Sequence, residues 1–252
     1  MVFDTHAHYD DEAFDADREE LLELLPQSGT ELVVIPGCDV TSSRKAVELS
    51  QKYGYIYAAV GIHPEEVMAA APGDAETIRT LAGQEKCVAI GEIGLDYYWD
   101  DTHKAEQKEL FTAQIELALE LGKPVIIHDR EAHGDTMEII RRYPELRGVF
   151  HCYSGSPEMA EELLNRGWYL GFDGPITYKN ARKAIEVLAL CPMDRILIET
   201  DSPYLSPVPL RGKRNDSRNL SYIVQKIAEV KGCTPEEAAS ASLENGKRFF
   251  GI

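Results

Sequence analysis

Long hydrophobic runs are missing from this chain of 252 residues. Its longest apolar stretch, residues 56–62 (IYAAVGI), falls far short of the roughly 18 residues a spanning helix needs. Cysteine is sparse: five residues, at 38, 87, 152, 191 and 233, with no C-x-x-C pair. That argues against a disulfide framework or a zinc-ribbon site. Positive charge is also short, with 26 Lys and Arg against 43 Asp and Glu, a net charge of −17. A basic face for non-specific binding to nucleic acid or a membrane surface is therefore not expected. A nucleic-acid enzyme stays open, because bound metal and local basic loops can overrule the global charge. No P-loop, G-x-G-x-x-G or H-E-x-x-H occurs. The segment HCYSGS breaks the G-x-S-x-G pattern because position 152 is cysteine, which argues against a serine triad. No signal-like segment precedes Val2-Phe3, so a cytoplasmic location is expected.

What is present is a globular composition, 44% hydrophobic and 27% charged, without linker-like tracts or repeats. Short apolar runs start near Val2, Leu32, Ile56, Cys87, Pro124, Gly148, Trp168 and Ile196, spaced 20 to 37 residues apart. They are rich in β-branched and aromatic residues and apolar nearly throughout, as strands buried on both faces of a parallel sheet are. Helical stretches lie between them. Leu110, Phe111, Gln114, Ile115, Ala118 and Leu119 share one helical face, stopped by Gly122 and Pro124. Thr41-Ser42, Ser156-Pro157-Glu158 and Thr234-Pro235-Glu236-Glu237 open further helices. Eight such units predict a (β/α)8 TIM barrel, one domain over residues 1–252, in preference to an open doubly wound sheet.

Chemistry-bearing residues recur at the ends of these runs. His6 and His8 are two apart, so a strand points both to one face. Glu92, His128, His151 and Asp201 end the fourth, fifth, sixth and eighth runs, and in a barrel these ends open onto one mouth. Six side chains, with Glu92 bridging, supply seven bonds, enough for two divalent metals with positions left for water and substrate. His63, followed by Pro64, ends the third run and is a candidate for contacting substrate. His103 and His133 read as solvated surface residues, and Cys152 as a core cysteine. Glu199 reads as a residue orienting a neighbour. Arg211-Gly212-Lys213-Arg214 is a small basic loop just past Asp201. Beside a two-metal centre, Lys213 and Arg214 suit a phosphate-bearing substrate.

The segments DTHAHYD (4–10), GIHPE (61–65), GEIGLDYYW (91–99), PVIIHDR (124–130), FHCYSGS (150–156), ETDSPYLSP (199–207) and RGKRN (211–215) together resemble the TatD family of metal-dependent deoxyribonucleases, end to end. The resemblance implies a (β/α)8 fold and hydrolysis of DNA phosphodiesters. It implies one metal on His6, His8, Glu92 and Asp201 and a second on Glu92, His128 and His151, with His63 at the scissile phosphate or an extra metal. The chain departs from the family pattern at Asp216-Ser217, where Glu-Pro often follows GKRN, and at the Asp173-Gly174-Pro175 turn. The expected reaction is hydrolysis by a metal-activated water, exonucleolytic on single strands, with Glu92 and Asp201 as catalytic residues and Asp201 taking the proton. The nitrogen-rich ligand set suits zinc, manganese, nickel or cobalt better than magnesium, and relatives look able to work with magnesium or manganese. Two other readings stand beside it: an amide or ester hydrolase, such as an aminoacyl-ester deacylase, and a metal-dependent binding protein without turnover. No membrane contact or obligate protein partner is inferred, and a monomer is the default.

Overall fold

All eight apolar runs form strands in the computed structural model, which describes residues 1–252. The strands are β1 (Val2–Asp4), β2 (Thr30–Pro36), β3 (Ile56–Val60), β4 (Cys87–Asp96), β5 (Val125–Arg130), β6 (Gly148–Phe150), β7 (Tyr169–Phe172) and β8 (Ile196–Ile198). They follow chain order in one eight-stranded sheet. The helices are α1 (Arg18–Leu24), α2 (Val40–Lys52), α3 (Asp74–Ala82), α4 (Lys104–Glu120), α5 (His133–Ile140), α6 (Pro157–Asn165), α7 (Arg182–Leu190), α8 (Leu220–Lys231) and α9 (Pro235–Phe250). This alternation is the (β/α)8 barrel that the spacing of the runs predicts. No helix is long and apolar enough to cross a membrane, and all five cysteines are free thiols. The chain divides into two compact units, Met1–Ile35 with Cys152–Ile252, and Pro36–His151.

In the first unit β7 pairs with β8 and β1 with β2, both parallel. β8 adjoins β1: the Thr5 amide donates to the Ile198 carbonyl at 3.1 Å, and Ala7 bridges Ser202 beyond the strand ends. That bridge keeps the chain extended through His6 and His8, although β1 itself stops at Asp4. Gly171 on β7 is required by close approach, because a Cβ there would lie 2.6 Å from the Glu199 carboxylate. Helix α9 starts as its sequence predicts, with Thr234 capping Glu237 and Glu237 reciprocating. It packs Phe250 against Phe3, ring centres 5.8 Å apart. The Asn245 amide donates to the carbonyls of Met193 and Ile196, tying α9 to the start of β8.

In the second unit β3, β4, β5 and β6 pair in order, all parallel. β4 is ten residues long and buried along its whole length, longer than its apolar run implies. Its register against β5 shifts between Ile90 and Ile93, a local irregularity that re-aims the side chains around Glu92. Gly94 sits at φ +148°, and a Cβ there would lie 1.9 Å from the His128 carbonyl oxygen, so any side chain would push β4 off β5. Helix α2 starts one residue earlier than Thr41: Asp39 is the cap and Ser42 the reciprocating third residue. Helix α4 buries most of its expected face and adds Gln107 and Leu117 to it. Gln107, Phe111, Gln114, Ile115, Leu117 and Ala118 are buried, while Leu110 and Leu119 are half-buried.

Candidate active site

The first unit brings His6, His8 and Asp201 together. The two histidine Nε2 atoms are 3.1 Å apart, and Asp201 Oδ1 lies 3.6 Å from one and 3.4 Å from the other. Ligand atoms about 2.1 Å from one tetrahedral ion sit about 3.4 Å from each other, so this donor set fits a divalent cation. The bend that aims Asp201 is local: its φ is +54°, a left-handed value that Asp tolerates better than most residues. Its amide donates to the His6 carbonyl at 2.9 Å, and its own carbonyl accepts from Tyr204.

Behind these ligands lies Asp4, fully buried. It accepts from the Thr200 amide and hydroxyl at 3.0 and 2.7 Å and from the Ser217 hydroxyl at 2.6 Å. Burial pushes its carboxyl up to about 7 against the pull of those donors. The departure at Asp216-Ser217 thus has a structural use. Ser217 also takes part in a 2.7 Å hydroxyl–hydroxyl bond with Tyr9, and Asp216 caps the turn by accepting from the Arg218 amide. Glu199 accepts from the Cys152 amide at 2.5 Å, the orienting part expected of it. Cys152 is half-buried and lines a cavity of about 250 Å³ with Asp173 and Tyr178. Burial drives its thiol well above the ordinary value, so it stays protonated and a poor nucleophile.

The second unit gathers His63, Glu92, His128 and His151. Glu92 Oε1 lies 2.9 Å from His128 Nδ1, 2.8 Å from His151 Nε2 and 3.6 Å from His63 Nε2. His128 Nδ1 and His151 Nε2 are 3.4 Å apart, again a spacing that one ion fits. His128 Nε2 is held at 2.8 Å by Asp96 Oδ2, the carboxylate–histidine arrangement that fixes ring orientation and raises ligand basicity. Burial lowers the His128 imidazole, but its bonds to Asp96 and Glu92 prevail and lift it to about 9. Burial raises Asp96, yet bonds from His128 and the Trp99 and Tyr98 amides outweigh it and hold the carboxyl below its usual range.

Two buried glutamines of α4 set the loops that carry these groups. Gln114 accepts from the Ile62 amide at 2.7 Å and donates to the Ile62 carbonyl at 2.9 Å, fixing the approach to His63. One turn pair earlier, Gln107 accepts from the Asp96 amide and donates to the Asp96 and Asp100 carbonyls. His63 Nδ1 accepts from the Glu65 amide at 3.2 Å, leaving Nε2 toward Glu92.

His103 and His133, read from the sequence as surface residues, pair with Asp100 and Asp129, outside both clusters. Arg214 is engaged: its guanidinium grips both oxygens of Asp17 at 2.7 and 2.6 Å and lies over the Phe14 ring. Its charge is spent on holding the loop, whereas the exposed Lys213 ammonium makes no ion pair. Asp96 and Asp4 are the residues the sequence reading misses. Asp96 is four positions from Glu92 on β4, hence on the same face. That signal stays hidden as long as the strand seems to end at Gly94.

Histidine- and carboxylate-rich clusters at strand ends, on a barrel of alternating strands and helices, are the mark of a metal-dependent hydrolase. Comparison with known proteins agrees. Residues 3–251 match the family described as TatD related DNase, and the chain belongs to that family. It is 45% identical, over the full length of both chains, to a Bacillus subtilis protein described as the uncharacterized metal-dependent hydrolase YabD. It is 33% identical to the 3'-5' ssDNA/RNA exonuclease TatD of Cronobacter sakazakii, covering 99% of this chain and 97% of that one. The crystal structure of YJJV, a TatD homolog from Escherichia coli K12, superposes with a TM-score of 0.93 at 30% identity, covering 100% and 98% of the two chains.

Proposed function

We propose that this protein is a metal-dependent nuclease that removes nucleotides from an end of single-stranded DNA, with a 3'-to-5' direction and RNA as a second substrate carried from the relatives of that name. The observation that carries the reading is the pair of histidine–carboxylate clusters, in which His8 and Asp201, and likewise His128 and His151, hold donor atoms 3.4 Å apart, the spacing of two ligands on one cation. The reading takes them as halves of one centre in a single domain, 1–252, as family membership supports. His6, His8 and Asp201 would hold one divalent cation and His128 and His151 a second, with Glu92 contributing to both. Zinc, manganese and magnesium are the candidates. When bound, the cations polarise the phosphoryl oxygen and bring an attacking water toward ionisation at neutral pH.

In this reading Asp201 orients that water and takes its proton. His63 positions the scissile phosphate through Nε2, and Lys213 meets a flanking phosphate. Arg214 keeps the Lys213 loop in place through Asp17. A cytoplasmic monomer is the proposed state.

The test is cleavage of an end-labelled single-stranded oligonucleotide with magnesium or manganese, with chelator, and by Glu92→Ala. We expect a ladder that shortens from one end, abolished by chelator and by the substitution. An intact oligonucleotide in the presence of stoichiometric bound metal would move the substrate to an amide or a carboxylic ester. Turnover unchanged in Glu92→Ala would sink the site assignment.

A further inference from the structure

Two and three residues after Asp96, the chain exposes two large aromatic side chains side by side. Tyr98 is 56% and Trp99 62% exposed, and their rings meet edge to face with centres 4.9 Å apart. The Arg130 guanidinium lies 3.9 Å from the Tyr98 ring centre and 5.4 Å from that of Trp99, at cation–π range. Exposing this much aromatic surface is unfavourable unless something covers it in use. Two features say what. Arg130 makes no ion pair and so keeps its charge for an anion. The group also grows from the ends of β4 and β5, where Asp96 and Arg130 are partners in register. His128 lies two residues before Arg130 on the same strand, roughly 7 Å along it.

We propose that Tyr98, Trp99 and Arg130 form a stacking platform that holds a nucleobase beside the scissile phosphodiester, with Arg130 on an adjoining phosphate. The proposal rests on the nuclease reading and adds the group that recognises a single strand: base faces are accessible there, whereas in a duplex they are stacked on their neighbours, and stacking tolerates any base. The platform's position is fixed at the metal side. The Tyr98 and Trp99 amides both donate to Asp96 Oδ1 at 2.9 Å, the carboxylate whose other oxygen holds His128. The basic loop of the first unit is a weaker candidate for this role. The cavity of about 920 Å³ that Arg211, Lys213 and Arg214 line is also lined by Asp11, Glu12 and Asp15, which offset its cations.

The chain has two tryptophans, and the other, Trp168, is 1% exposed, so quenching by a stacked base reports Trp99. An oligothymidylate with phosphorothioate linkages should quench the fluorescence of the metal-loaded protein, and Trp99→Phe should remove the quench. On a cleavable oligothymidylate, Trp99→Ala and Tyr98→Ala should each raise KM about tenfold, with Trp99→Phe and Tyr98→Phe restoring most of it. The loss of kcat/KM should be smaller on methyl p-nitrophenyl phosphate, a diester with no base to stack. Equal losses on both substrates, or an unchanged KM for the oligonucleotide, would overturn the platform. So would an unchanged KM with a smaller sedimenting species in Trp99→Ala, which would assign the patch to a second copy of the chain. An oligothymidylate left intact by the wild type fails the nuclease reading itself.

Discussion

His128 carries a proton on each ring nitrogen when carboxylates hold both, as Glu92 and Asp96 do, and its imidazole is lifted to about 9. A metal ligand must be a neutral imidazole, so binding at pH 7 has to expel that proton. Titration calorimetry in two buffers of different ionisation enthalpy should show close to one proton released from this residue, and apparent affinity should climb with pH until about 9. Binding without proton release would contradict the assignment of His128 as a ligand. The same shift governs the metal-free protein. Because the folded value lies above the ordinary 6.5, its stabilisation is complete below about pH 6.5 and is lost as pH rises through about 9. The Asp4 carboxyl, also raised, acts with the same sign at lower pH. The melting temperature of chelated protein should therefore fall as pH is raised from 5 to 9. Asp96→Asn keeps the shape of the side chain and removes the charge. It should lower metal affinity about 10- to 100-fold, measured by competition with a chelating dye, with little effect on the chelated protein's circular dichroism.

The loops that aim these residues depend on helix α4, where the Gln114 amide closes two backbone groups and the Gln107 amide three. Gln114→Leu would strand the Ile62 amide and carbonyl in the interior, at about 1–3 kcal/mol for each unsatisfied group. Urea unfolding should register roughly that loss, and kcat should drop with it, because His63 follows Ile62 directly. A destabilised variant with wild-type kcat would show that the His63 loop is held by something else. The same helix shows how far a sequence can be read. The runs, their spacing and the caps at Ser156 and Thr234 were legible because apolar periodicity and capping chemistry are local. The face of α4 was legible only in part: Phe111, Gln114, Ile115 and Ala118 are buried as expected, but Leu110 and Leu119, core by hydrophobicity, are half-buried, and Gln107 is buried outside the expected set. Gln107 and Gln114 bond the backbone at Asp96 and Ile62, 11 and 52 positions away, and no periodicity announces a side chain's bond to the backbone of another segment. The clustered histidines were legible for the opposite reason, since each stands at the end of an apolar run. Asp96 escaped because β4 runs on through Gly94, and Arg214 was misjudged because its partner Asp17 lies far away in the chain.

A net charge of −17 repels a polyanion, so affinity for nucleic acid has to come from a few contacts near the metals and not from a general field. The contacts argued above amount to Lys213, Arg130 and the cation centre. Each phosphate neutralised on a single strand contributes about −0.7 to the slope of log affinity against log salt. Two side-chain contacts therefore give a slope of about −1.4, and the protein's own negative field, screened as salt rises, works against even that. We expect kcat/KM on a single-stranded oligonucleotide to fall only shallowly with NaCl between 50 and 300 mM, and Lys213→Ala to flatten the slope by about 0.7. Arg214→Ala should leave the slope nearly unchanged while lowering the melting temperature, because its charge is already paired with Asp17. If Arg214→Ala flattens the slope as much as Lys213→Ala, the guanidinium leaves Asp17 for the substrate and the division of labour in the loop is wrong. A slope several times steeper than −1.4 would mean that a longer stretch of backbone is gripped than these residues can reach.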